Sequence, residues 1–331
     1  MEFKNESWVE KYRPKKLNEI VSQENIMTSI KGFLNNKNIP HLLLFGPSGC
    51  GKTSTIIALA REIFGDNYKD RVMEFNASDE RGIKFIRTKI KMYAQKSINI
   101  KKGIPDYKII ILDEADSMTS ESQYALRKIM ENYSKITRFC IICNYHTQII
   151  DPIISRCSLL RFKAIEKIKI LKKLKEVCSS ENIYCSNNNL KLIVEICRGD
   201  LRKSINFLQR CNKNKNFLKK NDNSNELTQQ MIFELSGFIP KDLLEIFIDN
   251  CINKNINKVN NYIKYFYNSS YSLTNQIHIL TILILNNNKI DDIKKSKIIL
   301  HLLEIDRNLL NGCDEYIQFF NLAYFIIQLI N

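Results

Sequence analysis

A glycine-rich run at residues 46–53 has the residue types and spacing of a phosphate-binding loop, G-x-x-x-x-G-K-[ST]. It follows an apolar run at 41–45 that predicts a buried strand, and it precedes an amphipathic pattern at 54–63 that predicts a helix. Small residues let backbone N–H groups surround a phosphate, and the positive end of the helix points at the anion. A chance glycine loop at a strand-to-helix turn is the alternative. The predicted nucleotide-binding residues here are Gly46, Pro47, Ser48, Gly49, Cys50, Gly51, Lys52, Thr53 and Ser54.

An acidic motif supplies the second half of a nucleotide-hydrolysis site. The apolar run at 108–112 predicts a strand buried on both faces of a parallel sheet, and Asp113 and Glu114 follow at its carboxyl end, where such sheets bind ligands. We expect Lys52 to contact the β- and γ-phosphates, and Thr53 and Asp113 to hold Mg²⁺, the latter through water. Glu114 would orient and deprotonate the attacking water. An acidic turn is common by itself, but beside a phosphate loop it indicates ATP or GTP hydrolysis, and the acidic pair favours ATP.

Composition indicates a polyanionic partner and no membrane attachment. The chain has 331 residues, enough for two or three domains, and carries 50 Lys and Arg against 35 Asp and Glu, a formal charge of +15. This balance suggests a polyanionic partner larger than one nucleotide. The alternative is that the positive charge only keeps the protein soluble. No apolar stretch approaches the ~20 residues that a membrane span needs.

The ten cysteines predict free thiols in a reducing compartment. Cys140 and Cys143 form a C-x-x-C, but they lie in an apolar run that predicts a buried strand, and His146 is the single further ligand nearby. Zinc sites need a second Cys or His pair at compatible spacing, so small buried hydrophobes are the favoured interpretation. Cys50, inside the phosphate loop, is expected to be exposed enough to be modified.

Strand and helix patterns alternate as far as residue 163, which favours a parallel α/β sheet, and purely helical patterns follow. Ser120-x-x-Gln123 has capping-box spacing and predicts the start of a helix. The Lys- and Asn-rich stretch at 212–225 cannot bury much surface and predicts a linker. Strands are predicted at 41–45, 72–75, 108–112, 139–143 and 159–162, and domains at 1–163, 164–224 and 225–331.

A basic stripe gives the charge excess a location. Ile83, Ile86 and Ile90 recur at helical spacing and predict an inward face. Basic side chains on a neighbouring face of the same helix suit sequence-independent contact with a phosphate backbone, although a solvated basic face is the alternative. The candidate DNA-binding residues are Arg81, Lys84, Arg87 and Lys91, which Arg127 and Lys128 on the next helix could extend.

Seven motifs, in order from residue 8 to about 210, resemble those of replication factor C small subunits, the clamp-loader branch of the AAA+ ATPases. The Asn-Ala-Ser-Asp and Ser-Arg-Cys elements are specific to that branch. The last hundred residues match only in being helical. The motifs are WVEKYRP at 8–14, the phosphate loop, EFNASDERGI at 74–83, LDEADSMT at 112–119, CNY at 143–145, SRC at 155–157 and GDLR at 199–202.

The resemblance implies an α/β AAA+ P-loop NTPase domain with a parallel sheet and flanking helices, then a small helical lid domain and an all-α collar domain. It implies an ATPase subunit of a hetero-pentamer with other replication factor C subunits, acting in the nucleus. With ATP and Mg²⁺ as cofactors, such a complex opens the sliding clamp (PCNA) and loads it onto primer–template DNA in replication and repair.

The resemblance also implies roles for single residues. Asn144 would be sensor 1, although a lone Asn usually just caps a strand. Arg202 would be sensor 2, with a solvent-facing arginine as the alternative. Arg156 would act in trans on the γ-phosphate of the neighbouring subunit. The segment expected to pack around adenine contains Val9, Tyr12, Arg13 and Pro14.

Two other functions stay open at this point. The chain could be a structural subunit that binds nucleotide with little hydrolysis, because Ser48 and Cys50 replace the Pro and Thr that are common in the family's loop. It could also be another DNA-acting AAA+ ATPase, such as a branch-migration helicase, but no C-terminal DNA-binding motif of that class is evident.

Overall fold

A computed structural model describes residues 7–21, 24–36, 38–78, 82–97, 105–218, 227–269 and 271–330. The chain forms two compact units, Met1–Asn214 and Lys215–Asn331. Among the described residues no helix is both long and apolar enough to cross a membrane. The predicted division at 163/164 and 224/225 into three domains stays a prediction.

The first unit is built on a five-stranded parallel sheet in the order β2-β3-β4-β1-β5. The central strands are buried on both faces because helices pack on each side, which explains their continuous apolar runs. All five predicted strands are confirmed, with ends displaced by one or two residues. The strands are β1 (Leu42–Phe45), β2 (Val72–Asn76), β3 (Lys108–Asp113), β4 (Thr137–Cys143) and β5 (Ser158–Arg161).

Helices connect these strands and then continue beyond β5, as far as Leu218. The core beside the sheet contains Ile110, Phe139 and Ile141 packed with Leu126 and Met130. The helices are α1 (Trp8–Lys11), α2 (Glu24–Asn35), α3 (Lys52–Phe64), α4 (Tyr68–Arg71), α5 (Ile83–Phe85), α6 (Lys91–Gln95), α7 (Ser120–Tyr133), α8 (Asp151–Ile154), α9 (Lys167–Ser180), α10 (Asn187–Ile196) and α11 (Leu201–Leu218).

The predicted start of α7 is wrong by one residue. Thr119, and not Ser120, is the N-cap: it has the extended conformation (φ −67°, ψ 151°), and its hydroxyl accepts a hydrogen bond from the backbone N–H of Ser122 at 3.3 Å. Adjacent hydroxyl residues offer two equally good caps, and the backbone conformation at 119 decides between them.

The predicted linker begins too early. Helix α11 continues to Leu218, so residues 212–218 are helical, while 219–225 lie outside the described residues. The helix is anchored by fully buried Leu208 and Cys211. Once a helix is nucleated by packing, Asn and Lys extend it at a cost of only about 0.7 kcal/mol per residue or less.

Between α5 and α6 the helix passes through a five-residue π segment at Ile86–Ile90. Ile86 and Ile90 are buried there, as the apolar spacing predicted, and Ile83 is half-buried. The sequence pattern gave no sign of the π segment.

The described part of the second unit is entirely helical. Its core is centred on Phe247, Phe266 and Phe319. The ring centroids of Phe247 and Phe266 lie 5.7 Å apart, and those of Phe266 and Phe319 lie 5.8 Å apart. The helices are α12 (Gln229–Ser236), α13 (Lys241–Ile252), α14 (Ile256–Asn268), α15 (Leu273–Asn286), α16 (Asp292–Leu310) and α17 (Glu315–Leu329).

Candidate nucleotide site

The phosphate loop joins the end of β1 to the start of α3, and its glycines have backbone conformations or neighbours that disfavour a side chain. Gly46 has φ 145°, and a Cβ there would lie 2.3 Å from the carbonyl oxygen of Phe162. Gly49 has φ 69°, and a Cβ there would lie 2.0 Å from the carboxylate of Asp200. The neighbour at position 46 is backbone, so Gly46 excludes any L side chain, whereas at Gly49 the Asp200 carboxylate can move and the positive φ is the constraint. Gly51, the second fixed glycine of the motif, has φ 91°, a conformation that favours glycine.

The side chain of Lys52 folds back into the phosphate loop. Its side chain is nearly buried, and its ammonium donates hydrogen bonds to the backbone oxygens of Gly46 (2.7 Å) and Pro47 (2.8 Å) and to Oδ1 of Asn144 (2.9 Å). A buried ammonium is tolerated because all three protons are satisfied. It places one positive charge beside the loop, where a phosphate would compete for the same donors.

The candidate metal ligands contact each other directly. The hydroxyl of Thr53 donates to Oδ2 of Asp113 at 2.8 Å, and the backbone N–H of Glu114 donates to Oδ1 of the same carboxylate at 2.9 Å. One hydroxyl and one carboxylate suit Mg²⁺, which keeps several waters and completes its shell with substrate phosphates. In keeping with such a sparse donor set, the described residues contain no cluster of three or more His, Cys, Asp or Glu side chains able to hold a metal alone.

Glu114 occupies an unusual backbone conformation at the carboxyl end of β3. Its φ and ψ are 53° and 39°, in the left-handed region, and its side chain is exposed. For a residue with a Cβ this conformation costs about 1–2 kcal/mol. Such strain is concentrated at functional sites, and the sequence gave no indication of it.

Asn144 directly follows β4, which pairs with β3, so it lies beside the acidic motif. Its backbone N–H donates to Oδ2 of Asp116 at 3.0 Å, and the N–H of Tyr145 does so at 3.4 Å. Sequence reasoning missed Asp116 as the residue that fixes Asn144, although its place as the third acidic residue of the motif was a usable signal.

These elements enclose one cavity of about 300 Å³. Within it the structure brings together the predicted adenine segment, most of the loop, the acidic pair and both sensor candidates. Arg202, the second residue of α11, reaches the cavity from beyond β5. The lining of the cavity includes Val9, Tyr12, Arg13, Pro14, residues 48–54, Asp113, Glu114, Asn144 and Arg202.

Gly46 and Pro47 line an adjoining cavity that shares Ser48 and Asn144 with the first. Sequence reasoning missed several further residues of the main cavity, because the loops and helices that contain them carry no local sign of which position faces a ligand. Those residues are Glu10, Ile20, Val21, Ile165, Lys173, Leu201 and Ile205.

Three family models match this chain. They are "ATPase family associated with various cellular activities (AAA)" over residues 42–164, "RCF1/5-like, AAA+ ATPase lid domain" over 172–212, and "Replication factor C C-terminal domain" over 239–324. Replication factor C subunit 2 of Saccharomyces cerevisiae is 41% identical over 97% of this chain and 93% of its own length. Human replication factor C subunit 4 is 39% identical over 97% of this chain and 88% of its own length. The putative replication factor C small subunit L510 of Acanthamoeba polyphaga mimivirus is 39% identical over 96% of this chain and 95% of its own length.

The chain belongs to the replication factor C family. It therefore has the clamp-loader version of the AAA+ ATPase fold, with a lid and a helical C-terminal domain, as the sequence predicted. Solved structures of the Thermotoga maritima RuvB branch-migration motor share the fold, with a TM-score of 0.53 and 17% identity over 73% of this chain and 79% of that one. At that identity the likeness concerns the fold alone.

Arg156 of this replication factor C subunit is not part of its own cavity lining. It follows α8, and its guanidinium donates to the backbone oxygen of Pro152 at 2.7 Å and to Oε1 of Glu131 at 2.5 Å. Glu131 also accepts a hydrogen bond from Arg127 at 3.0 Å. This bond, together with the charges of both arginines and the bond from Arg156, outweighs the opposing effect of desolvation, so the pKa of the Glu131 carboxyl is lowered. The side chain of Arg156 keeps 35% of its surface exposed.

The basic stripe of this family member is only partly described. Lys84, Arg87 and Lys91 are exposed on the α5–α6 helix, whereas Arg81 lies outside the described residues. Arg127, one of the two residues that could extend the stripe, forms an ion pair with Glu131 at 3.0 Å. The assignment of these residues to DNA stays a prediction.

The cysteine predictions have different outcomes. Cys140 and Cys143 are buried in β4 as free thiols, as predicted, and burial raises the pKa of both. The expected exposure of Cys50 is wrong: the residue is 2% exposed, and its thiol donates to the oxygen of Pro47. The side chain points into the loop, and burial raises the pKa of the thiol.

Proposed function

We propose that this chain is an ATPase subunit of a nuclear replication factor C complex that opens the sliding clamp (PCNA) and loads it onto primer–template DNA in replication and repair. The observation that carries the proposal is the arrangement of Lys52, Thr53, Asp113, Glu114 and Asn144 in and around one cavity. The relatives named as replication factor C subunits support the assembly and its partners.

The residues of the cavity have separable tasks in ATP hydrolysis. Lys52 would exchange its backbone acceptors for phosphate oxygens, and Asn144, already in contact with Lys52, would hold the attacking water near the γ-phosphate. Glu114 would accept the proton of that water. Thr53 and Asp113 would hold Mg²⁺, which supplies charge neutralisation on the β- and γ-oxygens when bound.

A structural subunit with little hydrolysis is the weaker alternative. The departures from the family loop, Ser48 and Cys50, leave the cradle intact, because those positions contribute mainly backbone N–H groups. Every side chain with an assigned chemical task is present. A branch-migration helicase is also disfavoured, because relatives that align with 97% of the chain are replication factor C subunits and the RuvB likeness concerns the fold alone.

The test is ATPase activity of the chain co-expressed with its partner subunits, with and without primed DNA and clamp. We expect low activity from the lone chain and strong stimulation when the assembly meets both DNA and clamp, because the proposed site needs an arginine from a neighbour. Robust activity of the lone chain, indifferent to DNA and clamp, would contradict the proposal and favour a different AAA+ machine.

Neutralising the basic stripe is expected to weaken the response to DNA. Substituting Arg81, Lys84 and Arg87 by alanine should lower DNA stimulation of the ATPase and reduce the slope of log K against log[salt] by up to ~2.7, since each phosphate contact contributes about 0.9. DNA affinity measured across a salt series checks this expectation.

The matched control removes the same charge elsewhere on the first unit. Lys172 and Lys175 on α9 and Lys191 on α10 are exposed, and their triple alanine variant should keep both the stimulation and the salt slope. Equal losses in the two variants would show that net charge, and not the stripe, attracts DNA.

A further inference from the structure

The segment that carries the predicted adenine-contacting residues is held by helices beyond β5. Residues 8–14 form one wall of the nucleotide cavity through Val9, Tyr12, Arg13 and Pro14. Lys11 Nζ and Tyr12 Oη both bond to the same atom, Oε1 of Glu181, each at 2.6 Å. Glu181 directly follows α9 and is remote in sequence from the segment that it holds.

A second contact fastens the start of this segment to α11. The backbone N–H of Trp8 donates to Oε1 of Gln209 at 3.1 Å, and the indole of Trp8 is buried. The anchor changes after Pro14: the N–H of Leu17 donates at 2.8 Å to Glu62 on α3, the helix that begins at the phosphate loop. The wall of the cavity is thus anchored to α9 and α11 on one side and to the loop helix on the other.

The position of Glu181 is unfavourable for a carboxylate that has no partner. It is at the carboxyl end of α9, where the helix dipole disfavours negative charge, and its side chain is only 17% exposed. Burial raises the pKa of its carboxyl, but the hydrogen bonds from Lys11 and Tyr12 and the charge of Lys11 together outweigh burial, so the net pKa is lowered. Burial, then the bond to Glu181, raises the pKa of the Tyr12 phenol. The phenol of Tyr12 and the ammonium of Lys11 therefore both donate to a charged carboxylate, and hydrogen bonds to a charged acceptor are the stronger class.

We propose that Glu181 is a positioning residue that fixes Tyr12 and the wall of residues 8–14 around the adenine ring of ATP. This inference rests on the proposed function, because it assigns a base to a cavity proposed to bind ATP. It adds that the position of α9 sets the affinity for the base, while the phosphate loop sets the affinity for the phosphates.

The experiment measures equilibrium binding of two probes to the full chain: ATP and inorganic tripolyphosphate, each with Mg²⁺. Glu181→Ala is expected to raise the Kd of ATP about tenfold, the loss of a charge-assisted hydrogen bond, and to leave the Kd of tripolyphosphate unchanged. Glu181→Gln keeps an acceptor for both donors and should recover part of the loss. On a Tyr12→Phe background, Glu181→Ala should have a smaller effect, because the phenol bond is already absent.

Glu195→Ala is the matched control, since this exposed glutamate lies on α10 and outside the cavity lining. Equal weakening of both probes by Glu181→Ala would assign Glu181 to folding and overturn the inference, as would an unchanged Kd of ATP. If Glu181→Ala fails to fold, the Glu181→Gln and Tyr12→Phe variants are tested in its place. The inference then predicts that each raises the Kd of ATP and leaves the Kd of tripolyphosphate unchanged. The proposed function fails separately, if the unaltered chain shows no preference for ATP over tripolyphosphate.

Discussion

Replacing Arg156 by alanine is expected to lower ATP turnover at the neighbouring subunit's site by about 10³–10⁵-fold, while the mutated chain keeps its own affinity for ATP. An arginine finger has an effect of this size because it meets charge that develops on the γ-phosphate in the transition state. The expectation comes from the family resemblance, and the position of Arg156 agrees with it: the residue lies on the turn after α8, outside the lining of its own cavity, with its side chain 35% exposed.

The contacts of Arg156 explain how a surface arginine could be ready for that task. Glu131 and the Pro152 oxygen hold two of its nitrogens, so less side-chain entropy is lost when the remaining donors meet a phosphate. Arg156→Lys keeps the charge but loses the planar fork, and it should restore only a small part of the activity.

The measurement needs mixed assemblies in which only this chain carries the substitution. Nucleotide binding to the mutated chain is followed by equilibrium titration, and turnover by phosphate release. Lys175→Ala is the control for charge, because it removes an exposed cation on α9 that lies outside the cavity lining. Weakened ATP binding at the mutated chain's own cavity would contradict action in trans.

The features that local patterns specify could be predicted from the sequence. Continuous apolar runs gave the central strands β1, β3 and β4, because strands in the middle of a parallel sheet are buried on both faces, whereas the edge strands β2 and β5 are mixed in polarity and only partly buried. The glycine spacing gave the phosphate loop, and its two fixed glycines, Gly46 and Gly51, show why: both have positive φ, and a Cβ at Gly46 would also collide with the backbone of Phe162. The acidic pair and Asn144 were placed correctly relative to β3 and β4, because parallel strands end at the same edge of the sheet.

The features that depend on contacts between distant residues could not be predicted. Nothing near Glu181 in the sequence indicates that it bonds to Tyr12, and nothing near Asp200 indicates that it accepts a bond from Ser48 at 3.2 Å. The burial of Cys50 follows from how the loop curls, which the motif alone does not specify. The extension of α11 reflects tertiary packing that overrode a polar composition.

Replacing Glu114 by glutamine is the second large expected effect. Turnover at the chain's own site should fall about 10²–10⁴-fold, the contribution typical of a positioned general base, while the Kd of ATP stays within about twofold. Glutamine has nearly the same shape and can still hydrogen-bond a water, but it cannot accept the proton. Both side chains meet the same left-handed backbone, so the melting temperature should be unchanged.

Glu121→Gln provides the control for charge, because Glu121 is an exposed acid in the first turn of α7 and lies outside the cavity lining. Single-turnover phosphate release separates the chemical step from product release. A parallel rise in the Kd of ATP would mean that Glu114 shapes the site instead of acting on water. Unchanged turnover would remove it from the mechanism.

Combining Glu114→Gln and Arg156→Ala in one chain distinguishes a shared site from a self-contained one. If Arg156 acts in trans, the two substitutions impair two different sites, so the double variant loses the turnover of both. If Arg156 acted on its own chain's nucleotide, the two would impair one site, and the second change would add little to the first, as groups that act as a unit do. We expect the first result, because the geometry separates Arg156 from the cavity that contains Glu114.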